Sequence, residues 1–201
     1  MRTSRPPLRR VVAVIGSLLS LATALPGDDE LRLYAEDAVN SEGDRSTACV
    51  WLAHGCRFRF PPPMGWSVKC QATNATLLLT HPDLKAEIGI VLHREPEGTN
   101  GPPDLAHWQR QAQSRYPQST LQRESECTVA GREGWAFELA KTVGTGTAAL
   151  VRVVMAPYPG GVAEFEMRTT AVHERMARRA LRGVLSSLTI ESVATEGSPR
   201  R

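Results

Sequence analysis

The sequence predicts an α+β fold in which an antiparallel β-sheet is covered by two amphipathic helices. Three observations lead to this prediction. From residue 58 onward, apolar and polar residues mainly alternate, as they do on half-buried strands. A helical pattern at residues 104–116 interrupts this alternation. A second helical pattern, at residues 172–188, follows the last alternating stretch.

The alternating stretches are separated by turn residues. The clearest pattern is at residues 163–168, where three apolar residues alternate strictly with two glutamates and an arginine. Further alternating stretches lie at residues 68–72, 84–92, 121–129, 135–139 and 151–155, and residues 75–80 form an apolar run. Gly144-Thr145-Gly146 lies between two predicted strands, so it indicates a hairpin turn rather than a phosphate loop, which would need a following helix N-terminus.

The first predicted strand ends in a proline-rich turn. Phe58 and Phe60 are two residues apart and therefore share one face of a strand. Three prolines at 61–63 cannot continue a central strand, because they lack the donor N–H. Gly65 permits a tight bend, and Trp66 returns a large apolar ring to the fold. This pattern places the start of the folded domain at about residue 48–56.

The first helix begins after Asp104, which is suited to cap it, and Pro117 ends it. Its apolar positions are Leu105, Trp108, Ala112 and Tyr116. In the closing helix, Thr170 is the predicted N-cap. Its apolar stripe is Val172, Met176, Ala180, Leu181, Val184, Leu185 and Leu188, and its basic face is Arg175, Arg178, Arg179 and Arg182.

Residues 1–24 have the pattern of a secretory signal peptide. Four arginines precede the apolar run 11–21, and Ala22-Thr23-Ala24 fits a cleavage site. The apolar run is shorter than the roughly 20 residues of a membrane span. We therefore expect a periplasmic or secreted protein with no transmembrane span in the mature chain. The rest of the chain has 20 basic and 21 acidic residues, so its charge gives no reason to expect nucleic-acid binding.

Residues 25–47 are predominantly acidic and only weakly periodic. The sequence predicts a flexible tether here, with a short helix at about residues 29–39. The domain itself is predicted to span residues 48–190. The polar residues 191–201 are predicted to be a disordered tail.

The four cysteines are Cys49, Cys56, Cys70 and Cys127. An even number of cysteines in an exported chain favours disulfides, and three pairings exist. We expect Cys49–Cys56 and Cys70–Cys127, the latter because both residues have the core-facing parity of their strands. The alternative is two buried thiols within the sheet.

Candidate sites for chemistry are sparse. Cys49, His54 and Cys56 contain metal-ligand atoms, but their spacing is not that of common zinc modules and no fourth ligand is evident. His81 and Asp83 are an imidazole and a carboxylate of the kind used as a general base, which also needs a nucleophile. Asn74-Ala75-Thr76 matches the N-glycosylation triplet.

The order of elements and several motifs resemble those of the PsbP-like α/β/α sandwich family. The motifs are the turn Phe60–Trp66, the helix around Trp108, the turn Val129–Trp135, and Leu185-Ser186-Ser187-Leu188 in the last helix. The resemblance covers about residues 56–190 and implies an α/β/α sandwich. The family includes an extrinsic photosystem protein, a Ran-binding import factor and exported bacterial DcrB-like domains, whose partners differ widely.

The sequence therefore predicts an exported, non-catalytic binding or assembly module of the cell envelope, with no cofactor and no metal. The expected partner is a protein or an envelope component, which would bind the four-arginine face or a face of the sheet. The chain's own acidic residues 28–44 are a further candidate for that face. The alternative is a small exported hydrolase or metal-binding protein that uses His81, Asp83 or the Cys49–Cys56 segment.

Overall fold

The structure is a computed structural model that describes residues 32–39, 45–71, 76–95, 104–142 and 148–193. These residues form two antiparallel sheets and two helices, which is an α+β fold. The predicted leader, the Gly144–Gly146 turn, Asn74 and Ala75 lie outside the described residues, as does the end of the chain from residue 194. No helix in the described part is long and apolar enough to cross a membrane.

The smaller sheet has four strands, in the order β1-β2-β3-β11. They are β1 (Arg32–Val39), β2 (Arg45–Ala53), β3 (Cys56–Phe60) and β11 (Thr189–Ser192). A two-residue turn joins β2 to β3, and both of its residues, His54 and Gly55, have positive φ (52° and 67°). A turn of this kind matches the twist of the two strands that it connects.

The larger sheet has seven strands, in the order β4-β5-β6-β10-β9-β8-β7. They are β4 (Ser67–Gln71), β5 (Thr76–Thr80), β6 (Ala86–Arg94), β7 (Thr120–Val129), β8 (Arg132–Thr142), β9 (Ala148–Tyr158) and β10 (Gly161–Thr170). The helices are α1 (Leu105–Ser114), between β6 and β7, and α2 (Glu174–Ser187), between β10 and β11.

The main core lies on one face of the larger sheet. Phe165 and Met167 of β10 project from that face, and Trp51 and Phe58 of the smaller sheet pack into the same core. The apolar stripe of α2 completes it with Ala177, Ala180, Leu181 and Val184. The smaller sheet and α2 thus cover the same side of the larger sheet.

A second core forms on the opposite face of the larger sheet. There α1 contributes Ala112 and Trp108 against β8 and β9 residues such as Phe137 and Val153. Because β10 lies near the middle of the sheet and is covered on both faces, all of its residues from 161 to 167 are buried, including two glutamates. The strict alternation in β10 therefore does not mark a face exposed to solvent.

The structure corrects three expectations. The predicted single sheet is two sheets. Residues 32–39, expected in a helix or a tether, are strand β1, which pairs along its length with β2. Residues 191–192, expected in the tail, belong to β11, which pairs with β3. The folded part thus begins by residue 32, because β1 supplies an edge strand that the alternation from residue 58 does not reveal.

The helix predictions have mixed outcomes. The Asp104 cap is confirmed, since its side chain accepts a hydrogen bond from the His107 backbone N–H at 3.0 Å. The predicted Thr170 cap is wrong, because α2 begins at Glu174 and His173 precedes it. Val172 therefore lies before the helix and is 84 % exposed, and Met176, at the edge of the stripe, is 56 % exposed.

Candidate functional site

The four arginines of α2 do not share one environment. At 100° per residue, Arg175, Arg179 and Arg182 point almost opposite to the buried stripe around Ala177, whereas Arg178 lies at its border. The structure agrees with this geometry. The first three side chains are exposed, and Arg178 is partly buried.

Arg178 is tied to the larger sheet by a bidentate ion pair. Its Nη1 and Nη2 donate to the two carboxylate oxygens of Glu138 on β8, at 2.5 and 2.8 Å. Its Nε donates to Glu174 one helical turn earlier, at 2.7 Å. Arg152 of β9 also donates to Glu138. The hydrogen bond from Arg178 lowers the pKa of Glu138, and the charges of the two arginines lower it further, against the opposing effect of burial.

This geometry gives Arg178 a structural contact that its three neighbours lack. Arg175, Arg179 and Arg182 take part in none of the ion pairs or hydrogen bonds of the described residues. Val172 and Met176 border them with exposed apolar surface. We call these five residues (Val172, Arg175, Met176, Arg179 and Arg182) the α2 outer face. Its three free guanidinium groups are suited to bind carboxylates or phosphates in a planar, bidentate manner.

The predicted acid–base pair His81 and Asp83 has a different arrangement. The contact between them runs from the Asp83 backbone N–H to His81 Nδ1, at 3.2 Å. The His81 ring meets Trp66 edge to face, at a centroid distance of 5.8 Å. A Cβ on Gly65, which has a φ of 82°, would lie 2.9 Å from His81 Nε2. His81 therefore packs into the proline-rich turn and helps to hold that turn against the sheet.

The Cys49–His54–Cys56 segment runs from β2 through the two-residue turn to the first residue of β3. His54 Nδ1 lies 2.7 Å from the Tyr158 hydroxyl, and the Cys56 thiol donates to the Pro159 carbonyl at 3.5 Å. Among the residues that the structure describes, no group of three or more His, Cys, Asp or Glu side chains is arranged to hold a metal ion.

Beneath α1 lies a buried ionic cluster that the sequence reasoning missed. Glu164 is 2 % exposed, and its carboxylate binds His93 Nε2 at 2.7 Å and the guanidinium of Arg115. His93 stacks on Trp108 of α1, with a centroid distance of 4.4 Å. The Trp108 indole N–H in turn donates to Glu95 at 2.8 Å.

A second pair continues this cluster along β10. Glu166 binds Arg168 and lies 3.8 Å from Arg115. Burial raises the pKa of Tyr116, and the neighbouring Glu166 carboxylate adds to the rise. Glu164 and Glu166 each have an arginine beside them, and these ion pairs help to fix α1 on the sheet. One feature of the sequence could have indicated that these glutamates are buried. Glu164 and Glu166 lie on the same face of the strand as Val162, a core residue.

The fold has clear relatives among solved structures. LpqN of Mycobacterium tuberculosis, described as involved in cell envelope biogenesis, matches with a TM-score of 0.54 and 13 % sequence identity. The match covers 79 % of this chain and 91 % of LpqN, a protein with the PsbP-like fold. This chain has the PsbP-like fold. The expectation from the sequence is confirmed at the level of fold.

Two further solved structures share this PsbP-like fold. Cyanobacterial PsbP from Synechocystis has a TM-score of 0.49 and 12 % identity, covering 85 % of this chain and 99 % of its own. The Ran-binding protein Mog1p of Saccharomyces cerevisiae has a TM-score of 0.45 and 10 % identity, covering 82 % and 98 %. No protein-family model matches the sequence. No curated protein matches it either.

Within the PsbP-like fold, the four cysteines are free thiols, and their positions do not suit the expected pairings. Cys70 on β4 and Cys127 on β7 lie at opposite edges of the larger sheet, six strand spacings or roughly 29 Å apart. Cys56 pairs in register with Ala53, so Cys49 lies four residues further along β2, at about 13 Å. Both separations exceed the roughly 7 Å between Cα atoms that a disulfide allows.

Proposed function

We propose that this protein is an exported, non-catalytic binding module of the cell envelope, and that it binds an acidic protein through the α2 outer face. The α2 outer face itself is the observation that carries the proposal. Three guanidinium groups that have no partner among the described residues lie beside exposed Val172 and Met176. An ordinary solvated helix face needs no such combination of cations and large apolar side chains.

The different contacts of the four α2 arginines support this proposal. Arg178 already holds α2 to the sheet through Glu138, so the helix does not need Arg175, Arg179 or Arg182 for its attachment. The helix is also anchored by its buried stripe. The backbone of the α2 outer face is therefore held rigidly. Binding of a partner to this face costs this chain little conformational entropy.

Acidic protein surface is the partner chemistry that fits best. A carboxylate can accept two parallel hydrogen bonds from each arginine, and apolar side chains of the partner can cover Met176 and Val172. One acidic residue of the chain's own segment 28–44 already has another partner. Glu36, within the acidic segment, is already paired with Arg57 at 2.7 Å and with Arg59 at 3.4 Å.

Two observations support the envelope as the location. Residues 1–24 have the composition of an export signal. LpqN, which is similar to this chain over most of its length, is described as involved in cell envelope biogenesis. Fold similarity alone does not transfer a task, so these observations support the compartment and not the identity of the partner.

The test is crosslinking and mass spectrometry in the native envelope, with the charges of the α2 outer face reversed. The variant carries Arg175→Glu, Arg179→Glu and Arg182→Glu. A matched control carries Arg110→Glu, Arg123→Glu and Arg132→Glu, which reverse three exposed arginines elsewhere with the same change of net charge. We expect at least a tenfold loss of the crosslinked partner for the first variant and none for the control.

Three outcomes would contradict the proposal. Equal losses in both variants would mean that net charge alone matters. No loss in either would mean that the α2 outer face is only solvated. If the variant instead lost only its binding to anionic lipid vesicles, the partner would be a membrane surface and not a protein.

A further inference from the structure

Cys49 and Cys70 project from two different sheets into the same core. On β2, Cys49 shares its face with the buried residues Trp51 and Ala53, and it is itself 6 % exposed. On β4, Cys70 is paired with fully buried Leu77, and its side chain packs against the same core. Both thiols therefore point into the space between the smaller and the larger sheet.

The chain path connects the end of the smaller sheet that holds Cys49 to the strand of the larger sheet that holds Cys70. Cys49 is paired in register with Phe60, the last residue of β3. Directly after Phe60 the chain crosses to the larger sheet through residues 61–66 and enters β4, which contains Cys70. Cys49 thus lies at the end of the smaller sheet from which the chain departs.

The electrostatics of the two thiols agree with this placement. Burial raises the pKa of Cys49 to about 11, and negative charge on Cys70 contributes to the rise. Cys70 is the only cysteine that has this effect on Cys49 among the described residues. Charges that influence each other inside a protein lie close together.

We propose that Cys49 and Cys70 form a disulfide that links the two sheets when the protein is oxidised. The oxidant is a disulfide donor, such as oxidised glutathione or a disulfide oxidoreductase. One donor disulfide is reduced to two thiols while the two cysteines lose two hydrogen atoms and form one S–S bond.

The exposure of the two thiols sets the order of the exchange. Cys70 is partly exposed, and β4 is an edge strand of the larger sheet, so a donor can reach its sulfur. The Cys70 thiolate attacks the donor and forms a mixed disulfide, releasing one donor thiol. Cys49, which is buried, then attacks the Cys70 sulfur and releases the second donor thiol.

The experiment treats the purified protein with oxidised glutathione, alkylates the remaining thiols after unfolding and maps the peptides by mass spectrometry. Trypsin leaves Cys49 and Cys56 together in peptide 46–57, so chymotrypsin is added to cleave after Trp51. We expect one crosslinked pair that contains Cys49 and Cys70. We also expect Cys56 and Cys127 to be alkylated.

Two variants keep the result interpretable. The double variant Cys56→Ser, Cys127→Ser should form the same crosslink. Cys70→Ser, at a partly exposed position, should fold normally and leave Cys49 reduced. In the oxidised wild-type protein, the melting temperature should exceed that of the reduced protein by roughly 10 °C, because a crosslink between the sheets restricts the unfolded chain.

A different pairing, such as Cys49–Cys56 or Cys70–Cys127, would overturn the proposal. So would four alkylated cysteines after prolonged oxidation. The measurement uses purified protein and no binding partner, so its result is independent of whether the α2 outer face binds an acidic protein.

Discussion

Glu138 is the residue on which α2 and the strands β8 and β9 converge. Its side chain is 9 % exposed and lies between Arg178 and Arg152. A carboxylate placed between two partly buried guanidinium groups stabilises both of them, and its removal leaves two positive charges without their common partner. This contact matters more for stability than the surface ion pairs of the same protein.

We expect Glu138→Gln to lower the free energy of unfolding by about 2 kcal/mol at pH 7. The pKa of Glu138 is lowered in the folded state from the usual 4.5, so the ion pairs stabilise the protein fully above that pH. Below it, the unfolded chain takes up the proton first. The wild-type advantage should therefore shrink below about pH 4.5 and vanish as the pH falls through the lowered pKa.

Urea unfolding at several pH values between 7 and 3.5 measures this difference. The control is Glu87→Gln, which removes a half-exposed partner of the exposed Arg168 and should change stability by less than about 0.5 kcal/mol at any pH. A Glu138→Gln effect that stays constant down to pH 3.5 would show that its cause is packing and not charge.

Residue patterns predicted the positions of apolar side chains better than those of charged side chains, some of which are buried. Glu164 and Glu166 alternate with Phe165 and Met167, which is the usual pattern of a strand with one wet face. They are buried because α1, which is distant in sequence, covers that face and supplies Arg115. The strand parity shared with Val162 is a local signal of this burial, but nothing near the two glutamates in the sequence identifies Arg115 as their partner.

At the scale of elements, periodicity predicted α2 and most strands of the larger sheet. It placed Met176 in the buried stripe, because Met176 is four residues before Ala180. The observed stripe is centred on Ala177, so Met176 points about 100° away from its middle. Strand β1 was missed, because its eight residues contain three charges and lie at a sheet edge, where apolar alternation is weak.

The position of the stripe gives a direct prediction for α2. Leu181 is 1 % exposed, so Leu181→Ala should destabilise the protein by about 3 kcal/mol through lost burial and the resulting cavity. Met176→Ala removes an exposed side chain and should cost less than about 0.5 kcal/mol. Thermal and urea unfolding measure both variants. Similar losses for the two would mean that α2 is rotated from the orientation described here.

At the scale of the whole molecule, the smaller sheet is assembled from strands that are far apart in the sequence. The smaller sheet contains strands from both ends of the described sequence, since β11 follows α2 and pairs with β3. On its other side, β1 covers the edge of β2, and Leu33 packs against the main core. The ion pairs of Glu36 with Arg57 and Arg59 connect β1 to β3, which lies on the other side of β2.

This arrangement predicts that a chain beginning at residue 48 is incomplete. It lacks β1 and the first residues of β2, so the remaining edge of β2 has unpaired backbone groups beside the apolar residues Ala48 and Val50. Exposed strand edges of this kind pair with other chains. We expect a melting temperature about 8 °C below that of a chain beginning at Arg32, together with concentration-dependent dimers in size-exclusion chromatography. If the two chains had equal melting temperatures and both remained monomeric, β1 would be dispensable, and the domain would begin at about residue 48–56, as the strand and turn at residues 58–66 predicted.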